Sequence, residues 1–263
     1  MLITLKQDPT PSHEATKKFF YFFLLTFFTF SLYSNVRADE WKSPDSDISL
    51  AHFPTKLVQD LPHLFTADNA IPFVAGSVLT ASDWVLFDPA NSTASALSQW
   101  NTPALFDFGN FYGEGWVEGG SALGCWSLGA LAGNLKLGEF GRDAAESLLF
   151  STVLVSGLKY AVGRERPDGS DHLSFPSGHS IIAFCFAPVV QKYWGWGVGV
   201  PAYVLATVTA LARVEGYHHY LSDVLAGATL GIVIGNAVVY TPKDLFLSLN
   251  PEEFRLNWIA RRF

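Results

Sequence analysis

The chain has 263 residues, of which 49% are hydrophobic and 16% charged, with 22 Phe and 8 Trp. That length suits one helical domain, and the balance favours a membrane-embedded bundle over a water-soluble enzyme. A formal net charge of -7 without any long Lys/Arg run excludes a nucleic-acid binder, whose footprint is a basic face.

Residues 1–38 read as a secretory signal or an N-terminal anchor. Lys17-Lys18 precedes an apolar stretch from Phe19 to about Tyr33, and Val36-Arg37-Ala38 places small residues where a signal peptidase cuts, so cleavage is expected after Ala38. Residues 39–69 form a lead-in on the surface, because Pro44, Pro54 and Pro62 interrupt any helix longer than a few turns. Apolar segments follow at about 71–87, 120–137, 143–162, 178–194, 196–213 and 221–240, each near the length of a membrane span and rich in Gly, Ala and Ser. The expected fold is therefore all-α, a bundle of five to six transmembrane helices over residues 70–242, closed by a basic tail at 243–263. Between the first two segments, 91–119 carries Gly and aromatic residues that suit an ordered loop at an interface. Cys125 and Cys185 lie inside apolar stretches and read as buried thiols, not as a disulfide or a metal site.

If the last four segments run up and down, the connections at 163–178 and 213–221 fall on one side of the bundle. Lys159, Arg166, Ser177, His179, Arg213, His219 and Asp223 all lie in or beside them. Three cations beside apolar helices are costly unless matched by an anion, and forked Arg donors with a Lys point charge suit phosphate or a similar oxyanion. Ser177-Gly178-His179 follows Pro176 and opens an apolar helix, so its amides add to an anion site at a helix N-terminus. His219 and Asp223, four apart, share a helix face, and the carboxylate can orient the ring as a nucleophile. His179, from the other connection, can protonate a leaving oxygen.

These residues spell Lys159-x6-Arg166-Pro167, Pro176-Ser177-Gly178-His179 and Arg213-x5-His219-x3-Asp223. The pattern resembles the three-part signature of the type 2 phosphatidic acid phosphatase superfamily, which includes lipid phosphate phosphatases, class A acid phosphatases and vanadium haloperoxidases. The resemblance covers 159–223. It implies that Lys159, Arg166 and Arg213 hold phosphate oxygens and that Ser177 and Gly178 add hydrogen bonds. It further implies that His219 forms a phosphohistidine supported by Asp223, while His179 serves the leaving group. The family's usual Ser before the third-motif Arg is Ala212 here, which removes one hydrogen bond. His218 adjoins the nucleophile, but spacing to Arg213 and Asp223 selects His219. His172, Asp168, Asp171 and Glu215 read as solvated loop positions.

The expected activity is metal-independent and cofactor-free hydrolysis of a phosphate monoester or diphosphate on a membrane lipid. Phosphatidic acid, phosphatidylglycerol phosphate, undecaprenyl diphosphate and lipid A are the candidate substrates. A vanadate-dependent haloperoxidase, a lipid phosphotransferase and a non-catalytic protein binding anionic lipid are the alternatives. Lys192 and the basic tail lie opposite the site, so the positive-inside tendency places the site on the periplasmic or outer side of the inner membrane. Segment 71–87, with Ser77, Thr80, Ser82 and Asp83, is then expected to pack on the bundle without crossing; a soluble periplasmic protein is the other arrangement.

Overall fold

The computed structural model describes residues 51–239, apart from 52, 66, 87, 89–91 and 101. The signal or anchor at 1–38, the first part of the lead-in and the tail at 243–263 lie outside the described residues. Helices make up the described architecture: α1 (Phe53–Asp60), a 3-10 turn (Leu61–Phe65), α2 (Ala67–Leu86), α3 (Ser92–Leu97), α4 (Pro103–Tyr112), α5 (Trp116–Ala132), α6 (Leu135–Val162), α7 (Gly178–Trp194), α8 (Trp196–Glu215) and α9 (Leu221–Val239). Among the described residues there is no β-strand. The all-α expectation therefore holds.

Three of these helices, α6, α8 and α9, are long and apolar enough to cross a membrane. A fourth span arises only where α1 and the turn after it are joined to α2 across a 65° bend. These are the helices of a membrane protein. At 17 residues, α5 and α7 fall just short of that length.

Two boundaries differ from the sequence reading for a local reason. The apolar run expected at 120–137 is cut by Gly133, left-handed at φ 67°, and by Asn134, whose side chain accepts from Leu137 N–H at 3.0 Å as the N-cap of α6. The next helix thus begins at Leu135, eight residues before the expected 143. Part of the stretch expected as a loop, 91–119, is helical: Pro103 starts α4 from within its first turn, and Gly109 lets that helix close on α8. A Cβ at Gly109 would stand 2.8 Å from the Val208 carbonyl oxygen, and Thr209 Oγ1 donates to Gly109 O at 2.9 Å.

The lead-in is also corrected. From Phe53 it is helical, and Lys56 and Asp60 turn inward instead of toward solvent. Lys56 Nζ stands 2.6 Å from Asp60, 2.8 Å from Glu146 and 3.6 Å from Asp143, so α1 is pinned to the first half of α6 by buried charge. Tyr193 OH donates to the other Asp143 oxygen at 2.7 Å, which brings the end of α7 into the same cluster. Beside it the apolar core is centred on fully buried Phe140, whose ring meets Phe186, Tyr193 and Trp194 at 5.7 Å each.

Helix α7 is central, packed by α6, α8 and α9. Its contact with α9 is set by a stripe of small residues. Gly227, Gly231 and Gly235 recur every four residues, and a Cβ on them would meet the carbonyl oxygens of Ser177, Ile181 and Cys185 at 2.7, 2.6 and 2.5 Å. Asp223 is one step earlier on the same stripe. The close approach that the glycines permit therefore carries Asp223 to the N-terminus of α7, where Ser177 N–H donates to its carbonyl at 3.0 Å.

Candidate active site

Helices α6 and α8 end where α7 and α9 begin, so the two connections meet at one end of the bundle as the up-and-down reading expects. Gly163, left-handed at φ 61°, caps α6 through its N–H to Lys159 O and turns the chain into the first connection. Asp168 N–H donates to Tyr217 O at 3.1 Å and Arg166 Nη1 to His218 O at 3.2 Å, joining the connections directly. The amides of His218 and His219 both return to Arg213 O, across Tyr217 held at φ 55°. That uncommon conformation for a residue with a bulky side chain is kept in place by the bonds on either side of it.

All eight residues picked from the sequence come together here. Lys159 Nζ donates to the Leu173 carbonyl, and its Cε is the neighbour that a Cβ on Gly178 would meet at 3.9 Å. Arg166 is braced by Asp171 at 2.7 Å. Arg213 Nη1 donates to Asn110 Oδ1 at 2.8 Å. Lys159 and Arg213 thus bond to neutral acceptors. His179 has Arg213, His219, His218 and Arg166 within electrostatic reach, and Gly113 and Glu114 of the α4–α5 turn lie against it, Glu114 at 3.9 Å from Nε2. His179 Nε2 and Arg213 Nε are buried with no hydrogen-bond partner among the described residues. A multi-oxygen anion is the partner that satisfies such orphaned nitrogens amid cations.

Of the three amides expected to face an anion, that of Ser177 is already given to the Asp223 carbonyl. Ser177 is the N-cap of α7, its Oγ accepting from Ser180 N at 3.4 Å and from Ser180 Oγ at 3.0 Å. The Gly178 and His179 amides belong to that first turn, which has no intrahelical acceptors and presents the positive end of the helix dipole.

His219 is 2% exposed and Asp223 fully buried, with Nδ1 to Oδ2 at 3.7 Å. Ser174 Oγ donates to Asp223 Oδ2 at 2.5 Å and Tyr220 N–H to the same oxygen at 2.9 Å. Burial outweighs the carboxylate and pushes the His219 ring down to about 4, so it stands neutral. With Nδ1 turned to Asp223, Nε2 is the nitrogen left for a substrate.

Asp168 and Asp171 are solvated loop positions, as the sequence suggests, and both also hold neighbours. Asp168 accepts from Ser170 N–H at 2.9 Å, bonds that pull its carboxyl down to about 2, and lies 3.2 Å from His218 Nδ1. Asp171 takes Arg166 and Leu173 N–H on one oxygen, and Arg166 holds it below the usual carboxylate range. Residues not singled out in the sequence are Asn110, Ser174, Arg164 and Asp88. Arg164 carried a signal, standing two before Arg166 in Gly163-Arg164-Glu165-Arg166-Pro167; Asn110 and Asp88 come from segments far away in sequence and carried none.

The described helices of this membrane protein thus gather cations, two imidazoles and a helix N-terminus at one end of the bundle. Residues 140–246 match the family model described as the PAP2 superfamily. The chain is similar to the lipid A 1-phosphatase of Porphyromonas gingivalis, 40% identical over 86 residues that make up 31% of this chain and 19% of that one. It is also similar to the lipid A 1-phosphatase of Rhizobium etli, 33% identical over 46% of this chain and 65% of the relative. Phosphatidylglycerophosphatase B of Bacillus subtilis is 33% identical over 33% of this chain and 51% of its own. The chain thus spans less than two thirds of the length of each of these curated relatives. Among solved structures, a transmembrane PAP2 type phosphatidylglycerolphosphate phosphatase from Bacillus subtilis matches 66% of this chain and 94% of its own, at 24% identity and a TM-score of 0.46.

Proposed function

We propose that this protein is a phosphatase that removes a phosphate or diphosphate group from a membrane lipid through a phosphohistidine at His219. The observation that carries the reading is the buried His219–Asp223 pair, ring neutral and Nδ1 engaged, set among Lys159, Arg166, Arg213 and His179. His219 Nε2 attacks phosphorus; the N–P bond forms as the bond to the lipid oxygen breaks. Burial and Arg213 hold His179 neutral before substrate binds, so it is the bound phosphate dianion that brings it to the imidazolium. That imidazolium gives the leaving oxygen its proton, and the imidazole then takes one from the water that cleaves the N–P bond, releasing phosphate, freeing His219 and restoring the His179 imidazolium. Lys159, Arg166, Arg213 and the first-turn amides of α7 hold the equatorial oxygens, whose charge grows in the transition state. His219 and His179 supply nucleophile and acid from side chains alone, so the chemistry proceeds without a metal.

The lipid assignment is supported by the relatives' names and by an apolar groove of about 480 Å³ between α2 and α9. Phe73, Trp84, Val85, Ala226 and Leu230 line it, and so does Phe175, next to Ser174. Lys136 and Lys192 lie at the opposite end of the bundle, where Lys136 stands 4.7 Å from the Trp194 ring, which supports a site facing the outside. The detergent-solubilised protein is expected to release inorganic phosphate from phosphatidic acid, phosphatidylglycerol phosphate, undecaprenyl diphosphate or lipid A in the presence of a chelator. His219→Ala is expected to abolish release, and full turnover in that variant overturns the mechanism.

A further inference from the structure

The buried carboxylate of Asp223 is matched by a residue that the three-part signature leaves out. Arg164 Nη1 donates to Asp223 Oδ1 at 2.6 Å and to Ser222 Oγ at 2.7 Å, while Nη2 reaches Asp88 Oδ2 at 2.7 Å. The guanidinium lies between two rings, 3.7 Å from the Trp84 centroid and 4.0 Å from that of Tyr220. Asp88 is tied back to α9, accepting from Ser222 Oγ and from Ser222 N–H at 3.4 Å. Its side chain is 4% exposed and that of Arg164 13%.

The two Asp223 oxygens are thereby divided. Oδ2 serves Ser174, the Tyr220 amide and the His219 ring, and Oδ1 serves Arg164. A buried carboxylate is costly without a paired cation, and a planar fork clamped by two aromatic faces fixes direction as well as charge. The fork spans Asp223 and Asp88 together, so the position of the carboxylate depends on the segment after α2 as well as on α9. Groups that orient the ligands of a metal commonly change activity by about 10- to 100-fold without meeting the substrate, and Arg164 stands in the same relation to Asp223.

We infer that Arg164, anchored by Asp88 and stacked between Trp84 and Tyr220, is a positioning residue that holds Asp223 so that the His219 ring keeps one orientation and tautomer. The inference rests on the reading of His219 as nucleophile. It assigns Arg164 no contact with phosphate, in contrast to Arg166 two residues on, so its loss acts on kcat and leaves substrate binding alone.

The test uses the full chain in detergent, with kcat and KM for phosphate release measured separately on one lipid phosphate that the wild type turns over. Arg164→Gln is expected to lower kcat by about 10- to 100-fold with KM within about threefold of wild type. Arg164→Lys, which keeps the charge and loses the fork, is expected to fall between the two. Millimolar guanidinium is expected to restore part of the activity of Arg164→Ala and to leave the wild type unchanged, a response that a loss of folding would not give. Asp88→Ala acts in part through the same guanidinium, so its effect on kcat is expected to be smaller in Arg164→Gln than in the wild type, the remainder coming from its bonds to Ser222. Wild-type kcat in Arg164→Gln while His219→Ala is inactive overturns this inference and leaves the nucleophile standing; activity in His219→Ala overturns both. Should Arg164→Gln not fold, Asp88→Ala carries the test: kcat lowered severalfold at constant KM supports the brace, and an unchanged kcat overturns it.

Discussion

At the residue scale, His219 combines two demands that pull its protonation in opposite directions. Burial disfavours the imidazolium and Asp223 favours it; burial prevails, and the ring titrates at about 4 in place of its usual 6.5. The native state thus binds this proton less readily than the unfolded chain. The stabilising contribution is complete above about pH 6.5 and is lost as pH falls toward 4. On the proposed reading of His219 as nucleophile, the neutral ring is available over the same upper range. Once the second ionisation of the phosphate substrate near pH 6 is accounted for, the acid limb of kcat/KM should lie near 4. A limb at 6.5 would mean that the ring is solvated as in a free peptide. Arg213 makes a second prediction. Its Nη1 bond to Asn110 aims the guanidinium, and Arg213→Lys keeps a charge without the fork, so kcat/KM for phosphate release is expected to fall by about 1 to 3 kcal/mol in transition-state binding.

At the element scale, the site is placed by how closely helices approach. The α7–α9 contact depends on Gly227, Gly231 and Gly235, where there is no room for a side chain. Gly231→Val puts branched carbons against the Ile181 carbonyl, and thermal unfolding in detergent is expected to show a loss of roughly 1 to 3 kcal/mol. Activity should fall with it, because the same contact seats Asp223 at Ser177. At the other end, Lys56 is surrounded by Asp60, Asp143 and Glu146. Lys56→Met takes the cation from Glu146 while Asp143 keeps Arg142 at 3.1 Å, and breaking a buried pair in this way costs about 3 to 5 kcal/mol. Since Glu146 lies 13 residues before Lys159 on α6, roughly 20 Å away at 1.5 Å per residue, the surviving folded fraction should retain wild-type KM.

For the whole molecule, the open question is which side of the membrane the site faces. Ser170 is exposed in the first connection and belongs to no helix. In a background with Cys125 and Cys185 replaced, Ser170→Cys should react with a membrane-impermeant maleimide added outside intact cells or, for an envelope with an outer membrane, from the periplasm. Labelling only after the inner membrane is opened reverses the orientation. Much of this scale was legible beforehand. Helical type, the up-and-down course of the last four helices and the meeting of their connections follow from apolar run lengths and from Lys159, Arg166, His179, Arg213, His219 and Asp223 standing at run ends. The short helices within 91–119 were not legible, since their Gly and aromatic residues pack on α8 only once α8 is there.

The sequence by itself picked out the residues of the candidate site, because they are related by local spacing: His219 four residues before Asp223, although it stands in the turn ahead of α9 and not on the helix face expected for it, and consecutive positions at the N-terminus of α7. What only the tertiary structure decided is what holds them. Arg164 meets Asp88 across 76 residues and Lys56 meets Glu146 across 90. Nothing periodic in a chain announces such a pair, since buried charges choose partners by where helices come to rest and not by their separation along the backbone.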